Sequence, residues 1–304
     1  MGIAQRSNDR FSEDSVMTNA PTKSTHILVY ASLDPEARFG LPIGQGTTPS
    51  SATCFILTTV LSAVAYGTAY ALRMGEWGAI VWEYMTAFGR IPIPIIVLSI
   101  WSLVFLFLKL LKIRAQRLAL RIAFVPEDSG FVLTENTADE VIDAIDRAVD
   151  DPSRFLFLAR CRAVLRMMRN LGRVSDVDEI LTSRGDQDES SMDSGYTILR
   201  GFIWAIPVLG FIGTVVGLTQ AMKRFGATME AAGQDLGQIT ERLKTVLEGL
   251  DTAFITTAEA LIAVFFIYLL QSFVRRADEQ LCDDIRSACW NVIVARVRII
   301  KREI

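Results

Sequence analysis

Hydroxyl and carboxyl groups gather in one apolar stretch of this sequence. Asp251, Thr252, Thr256, Thr257 and Glu259 lie within nine consecutive positions. Thr252, Thr256 and Glu259 recur at i, i+4 and i+7, which places them on one helix face, with Thr257 on the neighbouring flank. A carboxylate inside a membrane helix costs about 3 kcal/mol or more if it is ionised and unpaired, and such groups often belong to proton relays. Glu259 is therefore a candidate ion-pathway residue; the alternative is a protonated or salt-bridged carboxyl at the interfacial end of the helix.

Small residues mark the apolar stretch that precedes this one. Gly213 and Gly217 have the G-x-x-x-G spacing that lets membrane helices approach closely, and Gly210 extends the same group. Pro207 removes one amide donor and is expected to bend or loosen the helix. Thr214 places a hydroxyl near the middle of this stretch. The simplest alternative role for that hydroxyl is a bond to the carbonyl four residues earlier in its own helix.

These residues lie on helices that are predicted to cross a bilayer. A helix of about 20 residues spans the roughly 30 Å hydrocarbon core. The chain is 304 residues long and 51% hydrophobic. Its apolar runs of suitable length cover residues 53–72, 91–111, 199–222 and 252–273, here named the first to fourth spans. The predicted fold is all-α: a polytopic membrane protein with four transmembrane helices and a helical cytoplasmic domain.

The positive charges near the span ends predict the orientation. Cytoplasmic loops carry an excess of Lys and Arg, so the chain ends are assigned to the cytoplasm. Lys223 and Arg224, after the third span, point the other way but are fewer. The larger group follows the second and fourth spans and consists of Lys109, Lys112, Arg114, Arg117, Arg121, Arg275 and Arg276.

Composition divides the chain into five segments. Residues 1–50 are rich in polar residues, Gly and Pro, which predicts a disordered cytoplasmic tail. The interposed domain, residues 113–198, shows apolar residues at helical spacing. Its Arg160, Arg166 and Arg169 are interpreted as a solvated face or as a contact for an acidic partner. Its last part, residues 185–195, is predicted to be a polar linker. The remaining segments are a first transmembrane hairpin (51–112), a channel domain with an outer interfacial helix at 234–250 (199–274) and a cytoplasmic C-terminal helix (275–304).

Several function classes receive no support from the sequence. It contains no phosphate-binding loop, no nucleophile elbow and no paired-histidine metal motif, so the chain is not predicted to be an enzyme. With one histidine, His26, and no C-x-x-C pair, neither a metal site nor a cofactor is predicted. Cys282 and Cys289 are seven residues apart and are expected to share a packed helix face. The net charge of -3 gives no reason to expect nucleic acid as a partner.

The third and fourth spans resemble a known family. IWAIPVLGFIGTVVGL, residues 203–218, is similar to the P-x-L-G-x-x-G-T-V-x-G signature of the MotA/TolQ/ExbB proton-channel family. In the next span, Thr257 and Ala258 match that family's T-A pair. Ala260 stands where the family has glycine, and Glu259 is an added charge. The signature positions matched in the third span are Pro207, Leu209, Gly210, Gly213, Thr214, Val215 and Gly217.

The resemblance implies a ring-forming, stator-type subunit of the bacterial inner membrane. Such rings hold five subunits around two copies of a single-span partner of the MotB/TolR/ExbD type, which carries a membrane aspartate. Protons pass between that aspartate and ring threonines, which Thr214 and Thr257 match, and their passage drives rotation. The candidate ion pathway is thus Thr214, Thr256, Thr257 and Glu259, and the candidate subunit-packing residues are Pro207, Gly210, Gly213 and Gly217.

Two other functional classes are considered beside the ion-driven ring. The main alternative function is a membrane scaffold without ion flux, in which the glycines pack helices and the interposed domain recruits proteins. A secondary transporter fits poorly because the chain has few spans and no inverted repeat.

Overall fold

A computed structural model describes residues 28–75, 78, 79, 82, 91–125, 132–168, 174–231 and 236–297. In these ranges the structure is helical, and the only β-type pairings are two isolated parallel bridges, Leu28 with Val149 and Leu133 with Val297. Four of the described helices are long and apolar enough to cross a membrane. The prediction of an all-α protein with four transmembrane helices is confirmed.

We number the helices of these ranges in chain order. The spans lie in α3, α4, α8 and α9, and the shorter helices lie before, between and beside them. The bounds are α1 (Tyr30–Leu33), α2 (Pro35–Arg38), α3 (Ser51–Leu72), α4 (Pro92–Ala119), α5 (Glu135–Ala148), α6 (Leu156–Met167), α7 (Val174–Ser194), α8 (Thr197–Ala231) and α9 (Leu236–Val292).

Aromatic packing joins the first three spans. Trp101 of α4 is 1% exposed, and its ring lies 4.7 Å from that of Phe202 on α8 and 5.7 Å from that of Phe55 on α3. Phe105 stacks on the same indole at 5.3 Å. Aromatic pairs at these separations add about 1 kcal/mol each beyond the area they bury. Trp101 therefore joins α3 and α8 to α4.

The interposed domain packs against the second half of α9. Ile145 of α5, Leu158 of α6 and Ile285 of α9 are almost fully buried in one core. Cys161 and Cys289 meet there, with their sulfur atoms 3.7 Å apart. Cys289 is buried, as is Cys282 one heptad earlier, so the predicted packed face of the C-terminal helix is confirmed.

Residues 28–50 do not form the disordered tail that the composition predicts. The segment contains α1 and α2, and the Leu28 amide donates to the Ala148 carbonyl at 3.1 Å. The side chains of Asp34 and Glu36 are buried in it. The prediction was wrong because it counted these carboxylates as solvated, whereas they have cationic partners far along the chain. Residues 1–27, with His26, lie outside the described part.

The predicted polar linker at residues 185–195 is also incorrect, since α7 continues through Ser194. One stripe of this mostly polar helix faces inward: Val177, Leu181, Gly185, Asp188 and Met192, spaced four, four, three and four residues apart. The first two and Met192 are buried against the neighbouring helices. Such a narrow stripe is enough to hold a helix against α6 and α9, although its average composition is that of a linker.

Arg160 is not part of a solvated face. It is 5% exposed, and its guanidinium donates to Asp188 of α7 through Nη2 at 2.6 Å and Nε at 3.2 Å. Arg166 is exposed, as predicted. The inward turn of Arg160 follows from its position one residue before Cys161, on the buried side of α6.

The fourth span, the predicted outer interfacial helix and the predicted C-terminal helix form a single element. Helix α9 extends from Leu236 to Val292 without a break. A helix can turn into the plane of the membrane only at a kink or an interruption. Residues 236–250 continue directly into the fourth span and do not form a separate helix; their place at the outer interface stays a prediction.

Candidate functional site

The third and fourth spans touch through two glycines of α8. A methyl group placed on Gly210 would come within 2.8 Å of the Ala260 Cβ, and one on Gly213 within 2.7 Å of the Thr256 hydroxyl. Both distances are shorter than van der Waals contact, so glycine is needed at each position. The sequence predicts that these glycines pack neighbouring subunits. In the structure both are occupied by contacts within one chain.

The two threonines that match the family signature both donate to backbone carbonyls. The Thr257 hydroxyl crosses from α9 to the Gly210 carbonyl of α8 at 2.8 Å. The Thr214 hydroxyl bonds to the Phe211 carbonyl of its own helix at 2.7 Å. The alternative role considered for Thr214, a bond within its own helix, is therefore present, although the acceptor is three residues earlier and not four. A hydroxyl whose hydrogen is used in this way still offers oxygen lone pairs to a donor.

Thr256 faces a different direction from Thr214. It is 2% exposed and lies against Gly213, whose missing side chain would also meet Ile91 at the start of α4. Thr214 follows Gly213 directly, so it points about 100° away around α8. The structure thus separates the candidate pathway residues: Thr256 is enclosed between helices of the same chain, while Thr214 and Thr257 are only half-buried.

Glu259 lies one turn after Thr256 and is half-buried in the isolated chain. Its Oε2 atom is shielded and has no hydrogen-bond partner among the described residues. The hydroxyl of Tyr66, on the first span, is likewise shielded and without a hydrogen bond there. Burying such a group unpaired is costly. Glu259 is therefore placed where a partner from outside the described residues would lower its energy.

The remaining candidate positions are less informative. Pro207 lies inside α8, and the helix continues across it. Gly217 is half-buried one turn beyond Gly213. The side chains of Asp251 and Thr252 lie outside the described part of the structure, so the stripe predicted from Thr252 to Glu259 can be followed only from Thr256 onward.

The glycine contact and the threonine that bridges α8 and α9 lie within a stretch that matches a protein family. Residues 149–286 match the MotA/TolQ/ExbB proton channel family. The resemblance predicted from the third and fourth spans is thereby confirmed, and we call this stretch the MotA/TolQ/ExbB region. No curated protein and no solved structure matches the chain.

The MotA/TolQ/ExbB region contains the whole of α6, α7 and α8 and most of α9. It covers less than half of the chain and leaves the first two spans outside it. The region and these spans are nevertheless packed together, since α4 contacts both α8 and α9. Together with the four apolar helices, the match indicates a multi-pass membrane protein that contains a region similar to a proton-channel family.

A buried set of charges links this region to residues 28–50. We call it the polar network; its members are Asp34, Glu36, Lys109, Lys112 and Asp278. Lys112 of α4 is 1% exposed and forms ion pairs with Asp34 at 2.9 Å and Glu36 at 2.7 Å. Glu36 also accepts hydrogen bonds from the amides of Gly44 and Ser50. Each charge in this half of the network therefore has an opposite charge beside it, and Glu36 has two further hydrogen bonds.

The other half of the polar network joins α4 to the MotA/TolQ/ExbB region. Lys109 has no exposed side-chain surface, and its ammonium group lies 2.9 Å from Asp278 of α9. It also donates to the Thr47 hydroxyl at 3.3 Å and lies 4.4 Å above the ring centre of Tyr196. The second carboxylate oxygen of Asp278 is buried and has no hydrogen-bond partner among the described residues.

Tyr30 adds a hydrogen bond to the polar network by donating from its hydroxyl to the Asp34 carboxylate. Burial raises the pKa of Tyr30, and the adjacent Asp34 carboxylate raises it further. The phenol therefore stays protonated and remains a donor. Its ring lies edge-on to Phe155 at 5.4 Å, which brings residues 28–50 against the beginning of α6 in the MotA/TolQ/ExbB region.

The charge pattern of the sequence does not predict this network, because in that pattern Lys109 and Lys112 indicate only the orientation of the second span. One signal was available: the two lysines are three residues apart and so share a helix face with the apolar side of the second span. Their partners could not be identified, because Asp34 and Asp278 lie more than 70 positions away in opposite directions. Arg114, Arg117 and Arg121 are exposed and still support the predicted orientation.

Proposed function

We propose that this chain is the ring-forming subunit of an ion-driven motor or energiser complex, and that the ion is a proton. Five copies would surround a single-span partner of the MotB/TolR/ExbD type with a membrane aspartate. Passage of protons between that aspartate and the ring would convert the ion gradient into mechanical work. In this role the chain is a transport component and not an enzyme.

The geometry of Thr257 is the observation that carries the proposal. Its hydroxyl hydrogen is committed to the Gly210 carbonyl at 2.8 Å, so the oxygen offers lone pairs to an incoming group. A protonated carboxyl on the partner helix is a donor of the kind that such an oxygen accepts. Thr214 has the same property because its hydrogen is committed to Phe211. We therefore assign the proton-exchanging contacts of the ring to Thr214 and Thr257.

Thr256 and Glu259 take other roles within the same proposal. Because Thr256 is enclosed against Gly213, it holds α9 in position and does not meet the partner. Glu259 adjoins the pathway as a protonatable group, and its unpaired oxygen would be met by water or by the neighbouring subunit. Carboxyl groups inside a membrane are rare, and they often belong to proton relays.

The exposed surfaces of α8 and α9 support an assembly. In the most apolar stretch of each span, only 17% of the residues of α8 and 22% of those of α9 are buried within the chain, against 39% in α4. Under the proposal, part of this surface packs against the next subunit around the ring. Since Gly210 and Gly213 are used within the chain, Pro207 and Gly217 are the candidate packing residues that remain for the contact between subunits.

We place the complex in the bacterial inner membrane with both chain ends in the cytoplasm. The exposed arginines after the second and fourth spans support this orientation by the positive-inside rule. The interposed domain would then lie in the cytoplasm. These arginines are Arg114, Arg117, Arg121, Arg275 and Arg276.

The subunit count is the first test. Native mass spectrometry of the chain, co-expressed with its single-span partner and purified in a mild detergent, is expected to show five copies. A stable monomer or dimer in the presence of that partner would contradict the ring and favour the scaffold function.

Proton flux tests the assigned pathway. The complex is reconstituted in liposomes that contain a pH-sensitive dye. The proton flux of a Thr214→Ala, Thr257→Ala double variant is expected to fall to that of empty liposomes. The matched control is Thr219→Ala with Ser272→Ala. Both control hydroxyls bond to carbonyls of their own helices and are exposed on α8 and α9. Equal flux from the pathway variant and the control variant would refute the assignment.

A further inference from the structure

An apolar groove runs along the outside of the first hairpin, between α3 and α4. It encloses about 500 Å³ and is lined by Leu57 and Leu61 of α3 and by Leu103, Phe107 and Leu111 of α4. Phe107 is 62% exposed and Leu61 is 48% exposed, so this surface has no cover within the described part of the chain. The groove is therefore open to whatever surrounds the two spans.

The polar residues at the edge of the groove are turned away from it. Glu36 binds Lys112 and the amides of Gly44 and Ser50. Thr53 donates its hydroxyl to the Pro42 carbonyl at 2.8 Å. With these groups satisfied elsewhere, the wall presents hydrocarbon. A groove of this kind favours an apolar occupant along its whole length.

One end of the groove adjoins a second cavity that is lined by two exposed arginines. This cavity of about 370 Å³ shares Pro35, Phe39 and Leu111 with the groove and is also lined by Arg38 and Arg114. Both arginines are exposed. Neither has an ion pair among the described residues. The guanidinium fork suits a phosphate, which can accept two parallel hydrogen bonds from it.

The dimensions of the groove fit one acyl chain. From Leu103 to Leu111 the α4 backbone rises about 12 Å, close to the roughly 15 Å hydrocarbon depth of one leaflet. A helix about 10 Å wide and 12 Å long would occupy roughly 900 Å³, well above the groove volume. A helix from a second copy or from a protein partner could therefore only lie across the open side of the groove, whereas a single lipid tail can lie inside it.

We propose that this groove is a binding site for an anionic phospholipid, whose acyl chain lies between α3 and α4 and whose phosphate is held by Arg38 and Arg114. The apolar wall and the basic rim are consecutive along one surface, as the tail and headgroup of a lipid are. The site does not depend on the proposed ion flux. Only the identification of its leaflet as the cytoplasmic one, which is rich in anionic lipid, rests on the proposed orientation.

Lipid binding to the purified, full-length protein tests the site. Native mass spectrometry follows the binding of added palmitoyl-oleoyl phosphatidylglycerol and of its phosphatidylcholine counterpart. Each basic residue near an anionic headgroup contributes about fivefold in affinity. The Arg38→Gln, Arg114→Gln variant is therefore expected to bind phosphatidylglycerol roughly 25-fold more weakly than the wild type and to lose its preference over phosphatidylcholine.

The control variant, Arg121→Gln with Arg147→Gln, removes the same charge from exposed arginines that line neither cavity. It is expected to keep the wild-type preference. Equal binding of the two lipids by the wild type would overturn the proposal, as would an equal loss in both double variants.

Cross-linking locates the tail and separates it from general charge effects. The protein is reconstituted in vesicles of three parts phosphatidylcholine to one part phosphatidylglycerol that carries a photoreactive group on its acyl chain. Cross-links are expected on the peptide that contains Leu103 and Phe107, and they should decrease in a Leu103→Trp variant that fills the groove. Cross-links confined to other spans would show that the lipid does not occupy this site.

Discussion

Replacing Gly210 by alanine is expected to force the third and fourth spans apart. The added methyl carbon would lie 2.8 Å from the Ala260 Cβ and 3.3 Å from the Thr257 Cα. Carbon atoms normally approach to about 3.5–4.0 Å, so α8 and α9 would have to separate by up to roughly 1 Å. Neither contact lies on a flexible side chain that could move aside. The Thr257 bond to the Gly210 carbonyl would be stretched by the same displacement.

The size of the effect follows from two opposing contributions. Overpacking a well-packed contact costs about 1–3 kcal/mol. Alanine is also a better helix former than glycine by about 1 kcal/mol, which offsets part of that cost. Gly201, earlier on α8, provides the matched control because a methyl group there meets nothing within 4 Å. Gly210→Ala should therefore be less stable than Gly201→Ala by about 1–3 kcal/mol, while Gly201→Ala is at least as stable as the wild type.

The measurement is unfolding by sodium dodecyl sulfate from mild-detergent micelles, followed by circular dichroism. A third variant tests whether the contact with Ala260 causes the loss of stability. Ala260→Gly, added to Gly210→Ala, removes the nearest contact atom and should recover part of the lost stability, since only the 3.3 Å contact with Thr257 then remains tight. Non-additivity of the two substitutions reports their direct contact.

Equal stability of the two alanine variants would refute this reasoning, because it would mean that α8 and α9 do not approach closely at Gly210. Failure of Ala260→Gly to relieve the Gly210→Ala variant would also contradict it. In that case the methyl group would be disturbing some other contact than the one with the fourth span.

Two further predictions concern the polar network and the bridging threonine. Lys112→Met should lower the free energy of unfolding by about 3–5 kcal/mol, because it leaves Asp34 and Glu36 buried without this cation. A thermal midpoint equal to that of the wild type would show that these ion pairs do not stabilise the fold. Thr257→Val keeps the side-chain shape but removes the bond to Gly210, so it should cost only about 0.6 kcal/mol in stability. It should nevertheless abolish proton flux, and intact flux would indicate that the hydroxyl has a structural role alone.

The sequence predicts the spans well because their determinants are local. Twenty consecutive apolar residues are enough to specify a membrane helix, whatever surrounds them. The glycine contact at Gly210 and Gly213 was also predictable, since close approach depends on residue size at a known spacing. Whether that approach occurs within a chain or between chains is not encoded in the spacing. In this structure both glycines meet α9 of the same chain, and their role between subunits stays a prediction.

The polar segments were harder because their partners are distant in the chain. Asp34 and Glu36 have the composition of a solvated tail until Lys112 is brought beside them. Arg160 has the pattern of a solvated face until Asp188 is placed opposite it. In each case composition describes the residue alone, while the fold depends on a pairing that no local pattern contains. Helix α7 shows the same effect, because its buried stripe is narrow and its average composition is polar.

The unbroken length of α9 has a mechanical consequence. With 57 residues it extends about 85 Å as a single rod, from before the fourth span to the core of the interposed domain. Thr257 lies in its first half, and Asp278 and Cys289 anchor its second half to α4 and α6. The helix is not interrupted between Thr257 and these two anchors. A displacement imposed at Thr257 would therefore be transmitted along α9 to the interposed domain. The membrane-spanning and extramembrane parts of the chain would then move together.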